Sequence, residues 1–197
     1  MRLFLFTLFF STFQLFSQVV TVEERKIFLD GEEYRINGIC YARGEGNGET
    51  SGFSYVDDIP LLVEANVNTI RTYSMITNVA ELNAFAEAGI KIIMHLNENS
   101  YTWYVNQYKD HPAILMWEFG NEFNYHPEWF DGDLDNWYEK LEACAARAKV
   151  LDPSHPLVRL LLLLPLPRED LMPGTTTTLA MDAVMVTSVV PKRRDSR

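Results

Sequence analysis

The chain has 197 residues, room for one domain or part of a larger one, and a hydrophobic share of 47% that suits a packed core. Its net charge of -10 excludes a protein that lives on nucleic-acid phosphates, which demand a basic surface. An acidic surface suits solubility and an uncharged substrate such as a sugar.

Residues 1–18 read as a signal peptide. Arg2 supplies the positive start, Leu3 to Phe16 the apolar run, and Ser17-Gln18 the cleavage region. The other reading is an N-terminal core strand or anchor, but a membrane span needs about 20 apolar residues and this run is shorter. The expectation is a secreted or periplasmic protein with no membrane attachment after cleavage.

Thr21 to Tyr41 reads as a hairpin with Asp30-Gly31 at its turn, because Asp-Gly between apolar runs favours a tight two-residue loop. Its second arm is expected to run on into a first buried strand, Ile36 to Tyr41. Arg43 to Gly52 carries four glycines and reads as a loop. It has neither the Lys-Ser/Thr pair nor the following helix of a phosphate cradle. Helices are expected over Tyr55–Ala65, Asn78–Gly89 and Asp135–Leu151 from their apolar residues, and a short one over Tyr101–Lys109. Strands are expected over Asn68–Tyr73, Lys91–Leu96 and Ala113–Phe119. Asp133 or Asp135 caps the last helix. Strand and helix alternate, so the fold class is α/β with a parallel sheet and right-handed crossovers. A (β/α)8 barrel and a doubly wound sheet both fit that order, but the glycine-rich first turn of a dinucleotide-binding fold is missing.

Cys40 falls on an inner strand and Cys144 on an outer helix, so two buried free thiols are expected. After Leu157 the character changes. Leu160 to Leu164 are all leucine and Thr175 to Thr178 all threonine. From Val158 on the net charge is +2, so the preceding part carries -12. The expected division is therefore 1–18 signal, 19–157 folded domain, and 158–197 a low-complexity or frame-shifted tail, poorly ordered.

The chemistry gathers at His111 to Phe123, HPAILMWEFGNEF. A continuous apolar run ends in Gly120-Asn121-Glu122, and polar groups at the C-terminal end of a parallel strand are where such sheets place their sites. Glu122 reads as a general acid/base, with Asn121 beside it. The bland alternative is a carboxylate held in a structural salt bridge. Glu118 either points away from the pocket or pairs with Arg71, and the sequence leaves both open. Tyr125, Trp129 and Phe130 follow the motif and could stack on sugar rings or pack the loop. The four His residues have no metal-ligand spacing, so no metal or cofactor is expected.

From Lys26 to Pro156 the chain resembles the retaining glycoside hydrolases built on (β/α)8 barrels, with the catalytic domain of glycoside hydrolase family 2 the nearest likeness. The resemblance rests on KIFLDGEEYRINGICY, EANVNTIRTY, AGIKIIMHL and YKDHPAILMWEFGNE, in that order. It implies Glu122 as catalytic acid/base, Asn121 on the sugar hydroxyl next to the anomeric carbon, and Arg71 in electrostatic support of a nucleophile. Tyr41, His95 and Trp117 would line the sugar subsite, with Asn97 nearby. The substrate would be an oligo- or polysaccharide. The family's nucleophile, a second Glu on the seventh strand, has no counterpart that the sequence identifies. A barrel of this kind takes about 250 residues, and four strands are readable, so the expectation is an N-terminal half that is inactive alone. The fifteen residues between His95 and His111 are short for the passage from strand three to strand four, which predicts a lost segment. Two other functions fit the same motifs: a β-1,3-glucan transglycosylase, and a carbohydrate-binding relic without catalysis.

Overall fold

The computed structural model describes residues 18–42, 55–121, 128 and 133–159. The apolar leader, the glycine-bearing loop, Glu122, the aromatics Tyr125, Trp129 and Phe130, and the leucine and threonine runs lie outside the described residues.

The amino-terminal part is a three-stranded antiparallel sheet, β1 (Val20–Glu23), β2 (Lys26–Leu29) and β3 (Glu32–Tyr34). Asp30 and Gly31 both take positive φ, +51° and +88°, as the expected hairpin turn requires. Glu24 and Arg25 also take positive φ and make a second turn, which joins β1 to β2. The expected long second arm is two strands. β3 ends at Tyr34, and β4 (Gly38–Tyr41) belongs to a different sheet. Asparagines make the break. Asn37 N–H donates to Asn68 Oδ1 at 2.8 Å, and Asn68 Nδ2 donates to the Arg35 carbonyl at 2.8 Å. At Gly38 a Cβ would lie 2.8 Å from the Thr69 carbonyl oxygen, so no larger residue fits without a shift of backbone.

The second sheet is parallel, in the order β4, β5 (Thr69–Thr72), β6 (Lys91–Leu96), β7 (Ile114–Phe119), β8 (Leu157–Arg159). Helices α1 (Tyr55–Glu64), α2 (Val79–Glu87), α3 (Tyr101–Tyr108) and α4 (Leu134–Leu151) connect the strands. Asn78 caps α2 by accepting from Ala80 N–H, and Gly89 follows that helix at φ +74°. Asp133, not Asp135, caps α4. The short passage after His95 holds a two-turn helix, α3, and still delivers β7 in parallel beside β6, so no missing segment is needed there. β8 was not anticipated. It pairs Trp117 with Leu157 and Phe119 with Arg159, which carries the sheet two residues past the expected boundary at 157. At the other end, Gln18 Nε2 donates to the Ile114 carbonyl at 2.8 Å, so this residue of the expected leader is tied to the sheet.

One face of the parallel sheet packs on the helices. Ile70, Ile92, Met94, Leu96, Ile114, Trp117 and Phe119 meet Leu82, Phe85, Tyr104 and Leu141 in the main core. The opposite face is covered at its amino-terminal end by the antiparallel sheet, where Val20 and Ile27 pack on Leu115 and Met116. A register shift lies between Ile92 and Ile93, so that Ile92 faces Ile114 but Ile93 faces Met116. This irregularity inserts Leu115 and reverses the alternation of every later residue in β7. Trp117 consequently faces the helices, and Glu118 faces the other way. Cys40 and Cys144 are free, with Cys144 buried and Cys40 half-buried. Among the described residues no helix is long and apolar enough to cross a membrane.

Candidate active site

The open face of the parallel sheet turns polar toward the C-terminal ends of its strands. β5 contributes Arg71, β6 contributes His95, and β7 contributes Glu118, with Asn121 just beyond. Glu118 is 2% exposed and in register with His95. A buried carboxylate must be paired, and Arg71 supplies the partner. Arg71 Nε donates to both carboxylate oxygens, at 3.0 and 2.7 Å, and Nη2 makes a short contact to Oε1. Burial by itself would pull the guanidinium down, but the hydrogen bonds and charge of Glu118 outweigh it and hold Arg71 above its ordinary value.

The same Nη2 donates to Asn121 Oδ1 at 3.0 Å. That contact fixes the amide. With Oδ1 turned to Arg71, the two Nδ2 protons of Asn121 are left as donors. Asn121 immediately precedes Glu122. Arg71 also lies over the Tyr73 ring, 4.7 Å from its centroid. His95 Nδ1 is 4.0 Å from Glu118 Oε1, beyond hydrogen-bond reach, and finds no hydrogen-bond partner among the described residues. Beside this cluster a cavity of about 430 Å³ opens between the ends of β5 and β6, lined by Tyr73, Ser74, Met75, Thr77, His95, Asn97 and Ser100.

Arg71, Asn121 and His95 are thus brought together. Tyr41 and Trp117 are not. Tyr41 is buried on the helix face, where its hydroxyl donates to Asp58 at 2.9 Å and its ring packs edge-on against Phe85. Trp117 is 1% exposed on the same face, and its Nε1–H donates to Asp152 Oδ2 at 2.7 Å. Tyr41 ends β4 and Trp117 lies within β7, both on the side opposite the polar cluster. Of the two placements left open for Glu118, the structure shows the pairing with Arg71. Glu118 is the residue that sequence reasoning left undecided. Its signal was present: Glu118 and Arg71 are lone opposite charges within strands that are otherwise uncharged.

No family model matches the chain. Solved structures do share its architecture. The β-glucuronidase of Parabacteroides merdae superposes with a TM-score of 0.59 at 16% identity, over 72% of this chain and 20% of its own. The apo structure of β-glucuronidase 3 from Bacteroides uniformis gives a TM-score of 0.61 at 19% identity, again over 72% and 20%. A GH2 β-galacturonidase of Eisenbergiella tayi bound to galacturonate gives 0.52 at 22%, over 72% and 28%. The chain has a GH2-like fold over part of its length. It spans between about a fifth and just over a quarter of the length of these proteins.

Proposed function

We propose that this chain carries the acid/base side of a secreted or periplasmic, retaining β-glycosidase whose parallel sheet belongs to a (β/α)8 barrel. One observation carries the reading. Arg71, pinned by Glu118, holds the amide of Asn121 in one orientation at the C-terminal mouth of a parallel sheet, one residue before Glu122. Site groups held by buried partners keep the positions that chemistry needs. The GH2-like fold supports the same reading, since the neighbours are named as glycosidases.

In this proposal Asn121 donates from Nδ2 to the ring hydroxyl beside the anomeric carbon. Glu122 protonates the departing oxygen and later deprotonates water. A retaining mechanism places a second carboxyl group about 5 to 5.5 Å from the first, to attack the anomeric carbon. Of these two groups the chain's motifs identify only Glu122, so the chain by itself is expected to bind glycosides without hydrolysing them.

The purified chain, offered a non-hydrolysable aryl β-thioglycoside and the corresponding aryl β-glycoside, tests this. Binding of the first, with turnover of the second no faster than in buffer, is the expected result. Turnover abolished by Glu122→Gln would show that the attacking carboxylate is present after all. Failure to bind any glycoside would remove the carbohydrate reading itself.

A further inference from the structure

The cavity between the ends of β5 and β6 has a definite chemical character. At about 430 Å³ it is the size of a small-molecule pocket. Tyr73 is 44% exposed at its wall and offers an aromatic surface. Asn97 Oδ1 is already used by the Asn99 N–H at 2.9 Å and by the Ser100 hydroxyl at 3.4 Å, which turns the Asn97 amide protons into donors for a ligand. His95 turns its Nδ1 toward Glu118, so Nε2 is the ring nitrogen available to an incoming hydroxyl. Hydroxyl, amide and imidazole groups beside one aromatic ring suit a polyol.

Charge narrows the choice. Among the described residues lining the cavity there is neither Lys nor Arg, and neither Asp nor Glu. Arg71, which lies over Tyr73, already gives Nε and Nη2 to Glu118 and Asn121. A carboxylate brought into this space would find no uncommitted cation beside it among the described residues.

Resting on the carbohydrate reading above, we infer that this cavity takes an uncharged pyranose unit, with Tyr73 as its platform, and that Glu118 enforces the preference by occupying the charge of Arg71. The chain therefore differs in ligand charge from the glucuronidases and the galacturonidase whose fold it shares. Glu118 is a specificity-determining residue that acts through Arg71 and need not touch the sugar.

The test is a titration of the full 197-residue chain, followed by amide ¹H–¹⁵N spectra, with methyl β-D-glucoside, methyl β-D-galactoside and their uronic-acid counterparts. The neutral glycosides are expected to bind at least about tenfold more tightly than the uronides and to shift the signals of Tyr73, Asn97 and Ser100. Tyr73→Ala is expected to weaken neutral binding about tenfold, while Tyr73→Phe keeps it. Glu118→Gln, by releasing the guanidinium, is expected to move the preference about tenfold toward the uronide. Uronide binding equal to or tighter than neutral binding in the unaltered chain, or shifts confined to other residues, overturns the proposal and leaves the carbohydrate reading in place. Absence of binding by every glycoside overturns both. If Glu118→Gln does not fold, the ligand comparison and the exposed Tyr73 variants decide the matter alone.

Discussion

Asp152 and Glu118 are both about 2% exposed, and they lie against opposite faces of β7. Asp152, on the helix side, is closed. It accepts from Trp117 Nε1 at 2.7 Å and from the N–H groups of Ser154 and His155 at 2.9 and 3.3 Å, and it pairs with His155 Nδ1 at 2.7 Å. All but one of those partners lie within three residues, so the network locks the turn between α4 and β8 to the sheet. Among the described residues, the charged group that hydrogen-bonds Glu118 is Arg71, from β5, two strands away. Arg71 then passes one bond outward, to Asn121 at the mouth. Burial alone does not mark a functional carboxylate. The direction in which its network continues separates the two.

Breaking each network should show that difference. Glu118→Ala strands a buried guanidinium and is expected to cost about 3–5 kcal/mol in urea unfolding, the largest effect, while also weakening glycoside binding. Asp152→Ala leaves Trp117 Nε1 and the Ser154 N–H without their acceptor, and is expected to cost about 1–3 kcal/mol with glycoside binding unchanged in the folded protein.

Acid sharpens the same contrast. Burial raises the Asp152 carboxyl, but its bonds to His155 and Trp117 outweigh that and hold it below the ordinary 3.8. The stability it contributes is therefore present above that ordinary value and lost as pH falls through the lower folded value. The acid limb of an unfolding-against-pH curve should flatten in Asp152→Asn.

Tyr41→Phe removes one hydroxyl on the helix face. About 1 kcal/mol of stability should be lost, with no change in glycoside affinity, as measured by urea unfolding and titration. The smallest effect belongs to His111. Burial, and then the charge of Lys91, lower it from the ordinary 6.5. Its Nδ1 accepts from Ala113 N–H at 3.2 Å, which requires the neutral ring. An NMR titration should place its midpoint below the ordinary value. Stability should decline slightly as pH drops below 6.5 and level off once the folded ring is protonated.

Much of the parallel sheet was legible because its signals are local. Lys91–Leu96 gathers Ile92, Ile93, Met94 and Leu96 in one short stretch, Asn78 and Gly89 bracket α2, and Asp152-Pro153 follows α4. Two things were not. β8 is three residues long at the edge of a leucine run, and only its pairing with β7 reveals it. The faces of β7 were also hidden. A strand apolar on both sides carries no alternation to read, and the irregularity between Ile92 and Ile93 depends on a neighbour 22 residues away. This is why Trp117 was placed at the sugar when it packs behind the sheet. It is also why Glu118, whose partner lies 47 residues away, stayed undecided. Arg71, His95 and Asn121 could be nominated because each lies within two residues of a strand's C-terminal end.

The most direct measurement follows three side-chain signals while an aryl β-thioglycoside is titrated into the chain: Arg71 Nε–H, the Asn121 amide and the Trp117 indole N–H. If the open face of the sheet is the carbohydrate mouth, the first two shift with saturating ligand and the indole, bonded to Asp152 behind β7, stays still. A moving indole with silent Arg71 and Asn121 signals would contradict that claim.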